Sequence, residues 1–355
     1  MAKQSFFRRN WKLIVNIITV VVLVALVYII RDQIVETFAN LQRVNWQVLL
    51  LIIPLTVLGY HAQTKMYMDM FQLLGHKLHY KFTARVTLEL NFVNQVFPSG
   101  GVSGISYFGV RMRSANITAT QASLVQLMKL LLLFVSFEAL LIIGLLILAL
   151  EGKANDLMIL VAGSITTLLA IGTVAFVLII GSQRRIHATF TAITRVINKF
   201  SKVFRRGERP DLISIERAET IVSDLHGTYK LIERQYRNLR APFVWALLYN
   251  LSAILTIYVV YVAFDEWVNV GAIILAYSVA NFAGLVSVLP GGAGIYEALM
   301  TAVLAAGGIP AALSLPVTVM YRVLSTVIQL PPGYYFYHKS VHQTGKTPLD
   351  QPHES

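Results

Sequence analysis

No cysteine occurs among the 355 residues of the chain, which excludes disulfide bonds and thiolate-ligated metal sites. Charged residues are scarce at 14%, whereas 56% of the residues are hydrophobic and the mean hydropathy is +0.63. Soluble domains carry about 25% charged residues, so this composition excludes an ordinary soluble fold. The sequence also lacks a His-Glu-x-x-His helix, a Gly-x-Ser-x-Gly elbow and a Gly-x4-Gly-Lys-Ser/Thr loop. It therefore predicts no catalytic residue, no metal and no cofactor.

Uncharged apolar runs make up much of the chain. Each is long enough, at about 18 residues or more, to cross a hydrocarbon core of roughly 30 Å as a helix. Leu130 to Leu150 adds another run, interrupted only by Glu138. We therefore predict an all-α polytopic integral membrane protein with about seven to eight transmembrane helices. The uncharged runs are 13–30, 46–64, 157–183, 241–264, 267–296 and 298–321.

The N-terminal run could also be a secretory signal peptide. It is too long for one, however, and "YIIRDQIVE" follows it directly instead of a small-residue cleavage site. We interpret it as a retained first helix. The segment before it contains basic residues and no acidic one, which predicts a cytosolic N-terminus; the basic residues are Lys3, Arg8, Arg9 and Lys12.

The segment from Ser182 to Arg240 is strongly basic, with thirteen Lys or Arg residues against six Asp or Glu. We predict that it is cytosolic. Apolar residues recur in it at steps of three and four, which predicts two amphipathic helices joined near Gly207 and Pro210. This hairpin either holds anionic headgroups at the membrane surface or packs on itself, its charge reflecting only the positive-inside rule. No recognised nucleic-acid-binding fold accompanies the charge, so nucleic acid is not an expected partner.

Two glycine-rich stretches, around 94–113 and 287–300, interrupt the apolar runs. Aligning Pro98 with Pro290 superimposes "FPSGGVSGISY" on "LPGGAGIYEAL". A cation follows each proline at nearly the same distance inside an apolar helix, Lys129 after the first and Arg322 after the second. This agreement predicts a degenerate internal repeat.

Broken helices in a membrane protein have a limited set of uses. Non-helical backbone at membrane depth is tolerated where it is buried in protein or lines a wet cavity. Discontinuous helices in paired repeats commonly form transporter sites, in which free N–H groups at a helix N-terminus meet an anionic group. The plainer alternative is that both stretches are loops between spans. The repeated spacing favours two broken or re-entrant segments that line a binding cavity.

Ionisable residues within the apolar runs point the same way, because a charge there is costly unless it meets a partner or water. They either form pairs that fix helix packing or line a polar cavity. We favour a cavity that binds an anionic lipid headgroup, with Lys129 and Arg322 as phosphate partners. Other ionisable residues of this kind are Glu89, Glu138 and Glu297. The full set of candidate binding residues is Asn94, Pro98, Ser99, Gly100, Gly101, Gly104, Lys129, Pro290, Gly291, Gly292, Gly294, Glu297 and Arg322.

These motifs resemble the lysylphosphatidylglycerol synthase transmembrane (flippase-like) family over roughly residues 10–337. The second motif, "PGGAGIYE", has the family spacing, and Arg322 stands where the family carries an arginine. The first departs from the pattern, because Ile105 follows Gly104 where relatives have glutamate, and Lys129 replaces an arginine. The resemblance implies a bacterial inner-membrane protein that moves or presents lipids.

The resemblance also bears on domain organisation. In the synthases of this family a separate soluble domain transfers the aminoacyl group, and the final "HQTGKTPLDQPHES" is too short to fold as one. We therefore expect one flippase-like transmembrane domain over 1–338, including the basic hairpin at 183–240, and a short disordered tail over 339–355. We expect membrane lipids as binding partners, with an envelope-biosynthesis enzyme as a further possible partner.

Two other function classes fit the same pattern. An intramembrane glycosyl or phosphoryl transferase would use Glu297 or Glu89 as a base, and a scaffold would support an envelope-lipid enzyme without transporting anything. His76 and His79 could begin a metal site, but a solvated turn explains them better because no third ligand is near. The sequence leaves open the lipid, the oligomeric state and whether the two breaks enter from the same face.

Overall fold

The computed structural model describes residues 44–97, 102–152, 156–189, 191–192, 226–286 and 294–343, together with isolated positions between 21 and 40. Regular structure in these ranges is entirely helical, which confirms the all-α prediction. The first apolar run and most of the basic hairpin lie outside the described residues. Five described helices are long and apolar enough to span a membrane, and this agrees with the predicted polytopic architecture.

The helices are labelled here in chain order, after a single helical turn at Trp46–Leu49. They are α1 Ile52–Leu73, α2 Tyr80–Val96, α3 Val102–Arg113, α4 Ala119–Leu150, α5 Asp156–Ile180, α6 Arg240–Ala263, α7 Val270–Val286, α8 Ile295–Ala306 and α9 Ala311–Gln343.

Over the residues that the structure describes, matching helix lengths divide eight of these helices into two sets of four. The first helices of the sets, α1 and α6, have 22 and 24 residues, and the second, α2 and α7, both have 17. The third helices, α3 and α8, both have 12, and the fourth, α4 and α9, have 32 and 33. The remaining span, α5, lies between the sets. The predicted internal repeat is therefore present in the architecture, although the two sequences share little beyond the breaks.

Helix contacts follow the same correspondence. The two first helices, α1 and α6, pack along each other. Each second helix packs against the fourth helix of the other set, so that α2 contacts α9 and α7 contacts α4. Within each set the third helix packs against both the second and the fourth. Because exchanging the two sets leaves the pattern unchanged, the sets form an approximately twofold-symmetric bundle.

Each 12-residue helix folds back along the helix before it. Arg111 in α3 hydrogen-bonds to Glu89 in α2, and Gly307, just after α8, approaches Ala272 near the start of α7. A 12-residue helix is about 18 Å long, too short to cross a hydrocarbon core of roughly 30 Å. The pairs α2–α3 and α7–α8 are therefore re-entrant hairpins, hereafter hairpin 1 and hairpin 2. The tip of each hairpin means the described residues at the end where its two helices follow each other in the chain, 94–97 with 102–104 in hairpin 1 and 284–286 with 294–297 in hairpin 2.

The hairpins enter the bundle from opposite ends. The backbone N–H of Asn45, before α1, donates to the carbonyl oxygen of Ala263 at the end of α6 at 2.8 Å. At the other end, the side-chain amide of Gln235, before α6, donates to the carbonyl oxygen of Leu73 at 3.2 Å. Helices α1 and α6 are thus antiparallel. Since hairpin 1 begins where α1 ends and hairpin 2 begins where α6 ends, the two open at opposite ends.

Close helix crossings hold the hairpins in place. A Cβ atom on Gly271 in α7 would lie 2.4 Å from the carbonyl oxygen of Gly144 in α4. A Cβ atom on Gly333 in α9 would lie 2.7 Å from the Cβ atom of Phe92 in α2. Glycine at such crossings lets helix backbones approach each other, which is how membrane helices gain packing contacts without a hydrophobic driving force.

The end of the last helix and the basic segment both bear on the predicted domain boundaries. The last helix continues to Gln343, five residues beyond the domain end predicted at 338, so residues 339–343 are helical and not a disordered tail. The physical reason is that Tyr337 packs against Phe92, which extends the buried face of α9 past the apolar run. In the basic hairpin, residues 183–189 and 226–233 are helical, as the periodicity predicts, and Ile186 and Ile232 are buried.

Candidate functional site

The start of α8 carries the acidic residue of the second motif. Gly294 has φ +85°, a left-handed conformation that favours glycine. Its N–H donates to Oε2 of Glu297 at 2.7 Å, so the carboxylate caps the helix N-terminus. The other carboxylate oxygen accepts a hydrogen bond from Nη1 of Arg322 in α9. Glu297 therefore fastens hairpin 2 to the long helix that follows it.

This ion pair is largely shielded from solvent. The Glu297 side chain is 6% exposed and that of Arg322 is 20% exposed. The guanidinium carbon also lies 4.9 Å from the ring centroid of Tyr296, a cation–π contact. The sequence left open whether Arg322 meets a lipid phosphate or a carboxylate, and in the structure it is held by Glu297.

Two predicted residues of the first motif meet across hairpin 1. A Cβ atom on Gly104 in α3 would lie 1.9 Å from Oδ1 of Asn94 near the end of α2. Any larger residue at 104 would have to displace the asparagine, so the glycine sets how closely the two arms approach. Seven further candidates fall outside the described residues: Pro98, Ser99, Gly100, Gly101, Pro290, Gly291 and Gly292.

A second ion pair closes hairpin 1. Arg111 in α3 donates to Glu89 in α2 with both Nε and Nη2, at 2.6 and 3.2 Å. The Tyr107 hydroxyl donates to the same carboxylate at 2.8 Å. The Glu89 side chain is only 2% exposed, so three donors compensate for the burial of its charge. Hairpin 1 lacks a glutamate at the position of Glu297, and this pair joins its two arms instead.

Lys129, in α4, has a different environment from Arg322. Its ammonium lies 5.5 Å from the ring centroid of Tyr67 in α1, a cation–π contact. Within the described part of the chain, it has no carboxylate partner within ion-pair distance. Glu138, about two and a half turns further along α4, has one buried carboxylate oxygen without a hydrogen-bond partner among the described atoms.

Helix α9 links the tips of the two hairpins. Gln95, near the end of α2, donates to the Thr326 hydroxyl at 2.9 Å. Arg322 lies one turn earlier on the same helix and contacts Glu297 at the start of α8. Residues four apart on a helix are neighbours on one face, so both tips converge on the middle of α9.

Two cavities lie between the helices of the bundle. One, of about 90 Å³, is surrounded by α1, α2, α6, α7 and α9 and is lined mainly by hydroxyl and amide side chains. The other, of about 150 Å³, lies between α4, α5, α6 and α7 and has more aliphatic and aromatic lining. Tyr249 and Tyr277 line both. We call them the polar cavity and the apolar cavity.

Arg111 and the polar cavity were not identified from the sequence. A signal for the cavity exists, because polar residues recur at helical spacing within apolar spans: Tyr321, Ser325 and Gln329 in α9, and Tyr249, Ser252 and Thr256 in α6. Arg111 sits beside Arg113 in "VRMR", where the sequence alone does not distinguish a buried cation from an interfacial one.

His76 and His79 are not part of a metal site in the described residues. No group of three His, Asp or Glu side chains in this part of the chain is arranged to hold an ion. His79 instead precedes α2, where its carbonyl oxygen accepts a hydrogen bond from the Thr83 hydroxyl.

Paired hairpins that open at opposite ends of a helical bundle, each with a buried ion pair, define a polytopic membrane protein with repeated broken helices. The chain belongs to the family described as the lysylphosphatidylglycerol synthase TM region, which matches it over residues 14–333. The resemblance drawn from the two motifs is therefore confirmed.

One relative is described as a "UPF0104 membrane protein" and comes from Methanothermobacter thermautotrophicus. It is 29% identical to this chain over 109 residues, which make up 30% of this chain and 33% of the relative. The match thus spans about a third of the relative's length. Its description supports the membrane assignment and names no substrate.

Proposed function

We propose that this protein binds the anionic headgroup of a membrane lipid between its two hairpins and carries the lipid between leaflets. Lys129 is the observation that carries the proposal. An ammonium within a membrane span is costly unless it meets a partner or water, and among the described residues this half-buried one meets only tyrosine. A lipid phosphate supplies the missing negative charge.

The arrangement of the hairpins supports movement as well as binding. Transporters built from inverted repeats keep a binding site near the midplane and expose it alternately by moving one part against another. Here both hairpin tips meet the same stretch of α9, and each hairpin opens at a different end of the bundle. A headgroup bound near the tips can therefore be reached from either leaflet.

The charges at the two ends of the bundle support a specific orientation. The end at which hairpin 1 opens carries Lys77, Lys81 and Arg113, as well as the basic loop after α5. The other end carries Asp265 and Glu266. The positive-inside rule then places the first end, with the N-terminus and the end of α9, in the cytosol of a bacterial inner membrane. Hairpin 1 enters from the cytosol and hairpin 2 from outside.

The transferase alternative has less support from the geometry. A general base must be free to accept a proton from its substrate. Glu89 already accepts hydrogen bonds from Arg111 and Tyr107, and Glu297 accepts from Arg322 and the N–H of Gly294. Both proposed bases are therefore engaged in holding helices together.

The Lys129→Met variant tests lipid binding directly. Methionine keeps similar volume and removes the charge, so we expect retention of phosphatidylglycerol to fall by roughly ten- to a hundredfold, the value of a hydrogen bond to a charged group. Native mass spectra of the purified protein measure lipid binding. Transfer of labelled phosphatidylglycerol between liposome leaflets measures lipid movement.

A matched control is available in α1. Lys65 also lies over a tyrosine ring, 6.0 Å from the centroid of Tyr80, but that tyrosine is exposed, whereas the Tyr67 ring beside Lys129 is buried. Lys65→Met should leave lipid retention and transfer close to those of the parent. Equal retention by the parent and the Lys129→Met variant would remove the phosphate-binding role.

The absence of native cysteine makes the orientation testable with single introduced thiols. Lys77 and Glu266 are both exposed and lie at opposite ends of the bundle. A membrane-impermeant maleimide applied to intact spheroplasts should label the Glu266→Cys variant and leave the Lys77→Cys variant unlabelled until lysis. The reverse result would invert the proposed orientation, and labelling of both before lysis would contradict the antiparallel hairpins.

A further inference from the structure

Four tyrosines from four helices line the polar cavity: Tyr60 of α1, Tyr249 of α6, Tyr277 of α7 and Tyr321 of α9. The Asn281 amide donates to the backbone carbonyl of Tyr277 at 2.8 Å, which fixes Asn281 one turn along α7 from this ring. The hydroxyls of Tyr249 and Tyr321 form no hydrogen bond to another residue in the described part of the chain.

Polar groups that face the interior of a membrane protein require hydrogen-bond partners, because each unsatisfied one costs free energy. A protein that needed these rings only for packing would place phenylalanine there. Two hydroxyls without protein partners, both lining a cavity, therefore indicate that something in the cavity completes their hydrogen bonds.

We infer that the polar cavity binds the uncharged, hydroxyl-rich part of a lipid headgroup, a glycerol or a ring polyol, beside the phosphate site at Lys129. This inference deepens the proposed function and rests on it for the position of the phosphate.

The chemistry of the lining selects this class of group. None of the residues that line the polar cavity carries a charge. Each phenol can both donate and accept a hydrogen bond, as can each amide side chain. Gln63 of α1 and Asn91 of α2 bond to each other through their amides, at 2.7 and 3.2 Å, which leaves each with further capacity. Mixed donors and acceptors without charge complement hydroxyl groups, which also donate and accept.

The position of Tyr249 links the parts of one amphiphilic ligand. It lines both cavities, and Lys129 directly precedes Leu130, which lines the apolar cavity together with Tyr249. A phosphate at Lys129 would therefore have the polar cavity on one side for its headgroup alcohol. On the other side it would have the apolar cavity, lined by Leu133, Phe134 and Phe137, for an acyl chain.

Three lipids with the same acyl chains and one phosphate diester test the inference on the unaltered protein. Phosphatidylglycerol and phosphatidylinositol carry hydroxyl groups on the headgroup, whereas phosphatidylethanol carries none. In native mass spectra of the full chain offered an equimolar mixture, we expect retention of at least one polyol lipid to exceed that of phosphatidylethanol. Preference for phosphatidylinositol identifies a ring polyol as the ligand and preference for phosphatidylglycerol a glycerol. Equal retention of all three would overturn the inference.

Tyrosine-to-phenylalanine variants show which side chains produce the preference for polyol lipids. Tyr249→Phe and Tyr321→Phe each remove one hydroxyl and keep the ring, so each should reduce the polyol preference by roughly two- to tenfold, the value of one neutral hydrogen bond. Tyr258→Phe is the matched control, because this residue lies on α6 with Tyr249 but packs against Trp267 away from the cavity. An unchanged preference in both cavity variants would overturn the assignment of the cavity.

The result also separates this inference from the proposed function. Lys129→Met should lower retention of all three lipids by a similar factor and keep their order. If that variant retains every lipid like the parent while the tyrosine variants lose the preference, the phosphate role fails and the polyol site stands. If the Lys129 variant loses lipid but the parent never distinguishes the three headgroups, the proposed function stands and the polyol site fails.

Discussion

Arg322→Met is expected to lower the free energy of unfolding by about 3–5 kcal/mol, the usual cost of removing one partner from a buried ion pair. The change would leave the Glu297 carboxylate, 6% exposed, without the guanidinium that now compensates its charge. It would also remove a polar link between hairpin 2 and α9. Denaturant titration or thermal melting of the detergent-purified protein measures the loss of stability.

Restoring neutrality should restore stability. In the Glu297→Gln/Arg322→Met double variant no charge remains buried at this contact, and glutamine can still accept a hydrogen bond from the N–H of Gly294. We expect most of the lost stability to return. Arg240→Met, at an exposed arginine at the start of α6, is the control and should change stability little.

The same variants decide what Arg322 contributes to function. If the double variant recovers both folding and lipid transfer, Arg322 serves packing and Lys129 alone meets the phosphate. If it recovers folding but not transfer, the charge at 322 acts on the lipid as well. A single Arg322→Met variant as stable as the parent would show that the ion pair is not what fastens hairpin 2.

Arg111→Met should have an effect of similar size, on the order of 3–5 kcal/mol. Glu89 is even more deeply buried than Glu297, at 2% exposed, and would keep only the Tyr107 hydroxyl among its present donors. The pair joins the two arms of hairpin 1, so the loss should appear first as exposure of that hairpin. Hydrogen exchange of the backbone in α3, together with the melting temperature, measures both the local and the global effect.

Arg113 provides a matched control for Arg111. Arg113 is on the same helical turn as Arg111 but is exposed, so Arg113→Met should leave the melting temperature nearly unchanged. The Glu89→Gln/Arg111→Met double variant should recover much of the stability. Equal destabilisation by both single arginine variants would point to general loss of surface charge and against the buried pair.

The all-α class and the membrane location follow from composition and apolar run length, because a hydrocarbon core admits few other structures. The internal repeat was also readable, since Pro98 and Pro290 align and a cation follows each at similar distance. Its extent was not. The matching lengths of the helices before and after the breaks emerge only once the helix boundaries are known.

The sequence predicted that buried charges would meet partners or line a cavity, but it could not choose partners. Glu297 and Arg322 are 25 positions apart, and Glu89 and Arg111 are 22 apart. Each pair forms because a hairpin folds back or packs against the next long helix, and that folding depends on tertiary contacts. Lys129 occupies the place in its set that Arg322 occupies in the other, yet it faces tyrosine, since position 105 is isoleucine where the second set has a glutamate.

By itself, the sequence determined that this chain is a helical membrane protein with two glycine-rich breaks in a repeat, because hydrophobic length and glycine spacing are local properties. The tertiary structure alone decided that the helices on either side of each break fold back on each other as hairpins, and that the two hairpins enter from opposite ends. It also decided which charges neutralise each other and that Tyr249, Tyr277 and Tyr321 surround one polar cavity. Those outcomes depend on how antiparallel helices pack, and helix packing brings together residues that no local pattern relates.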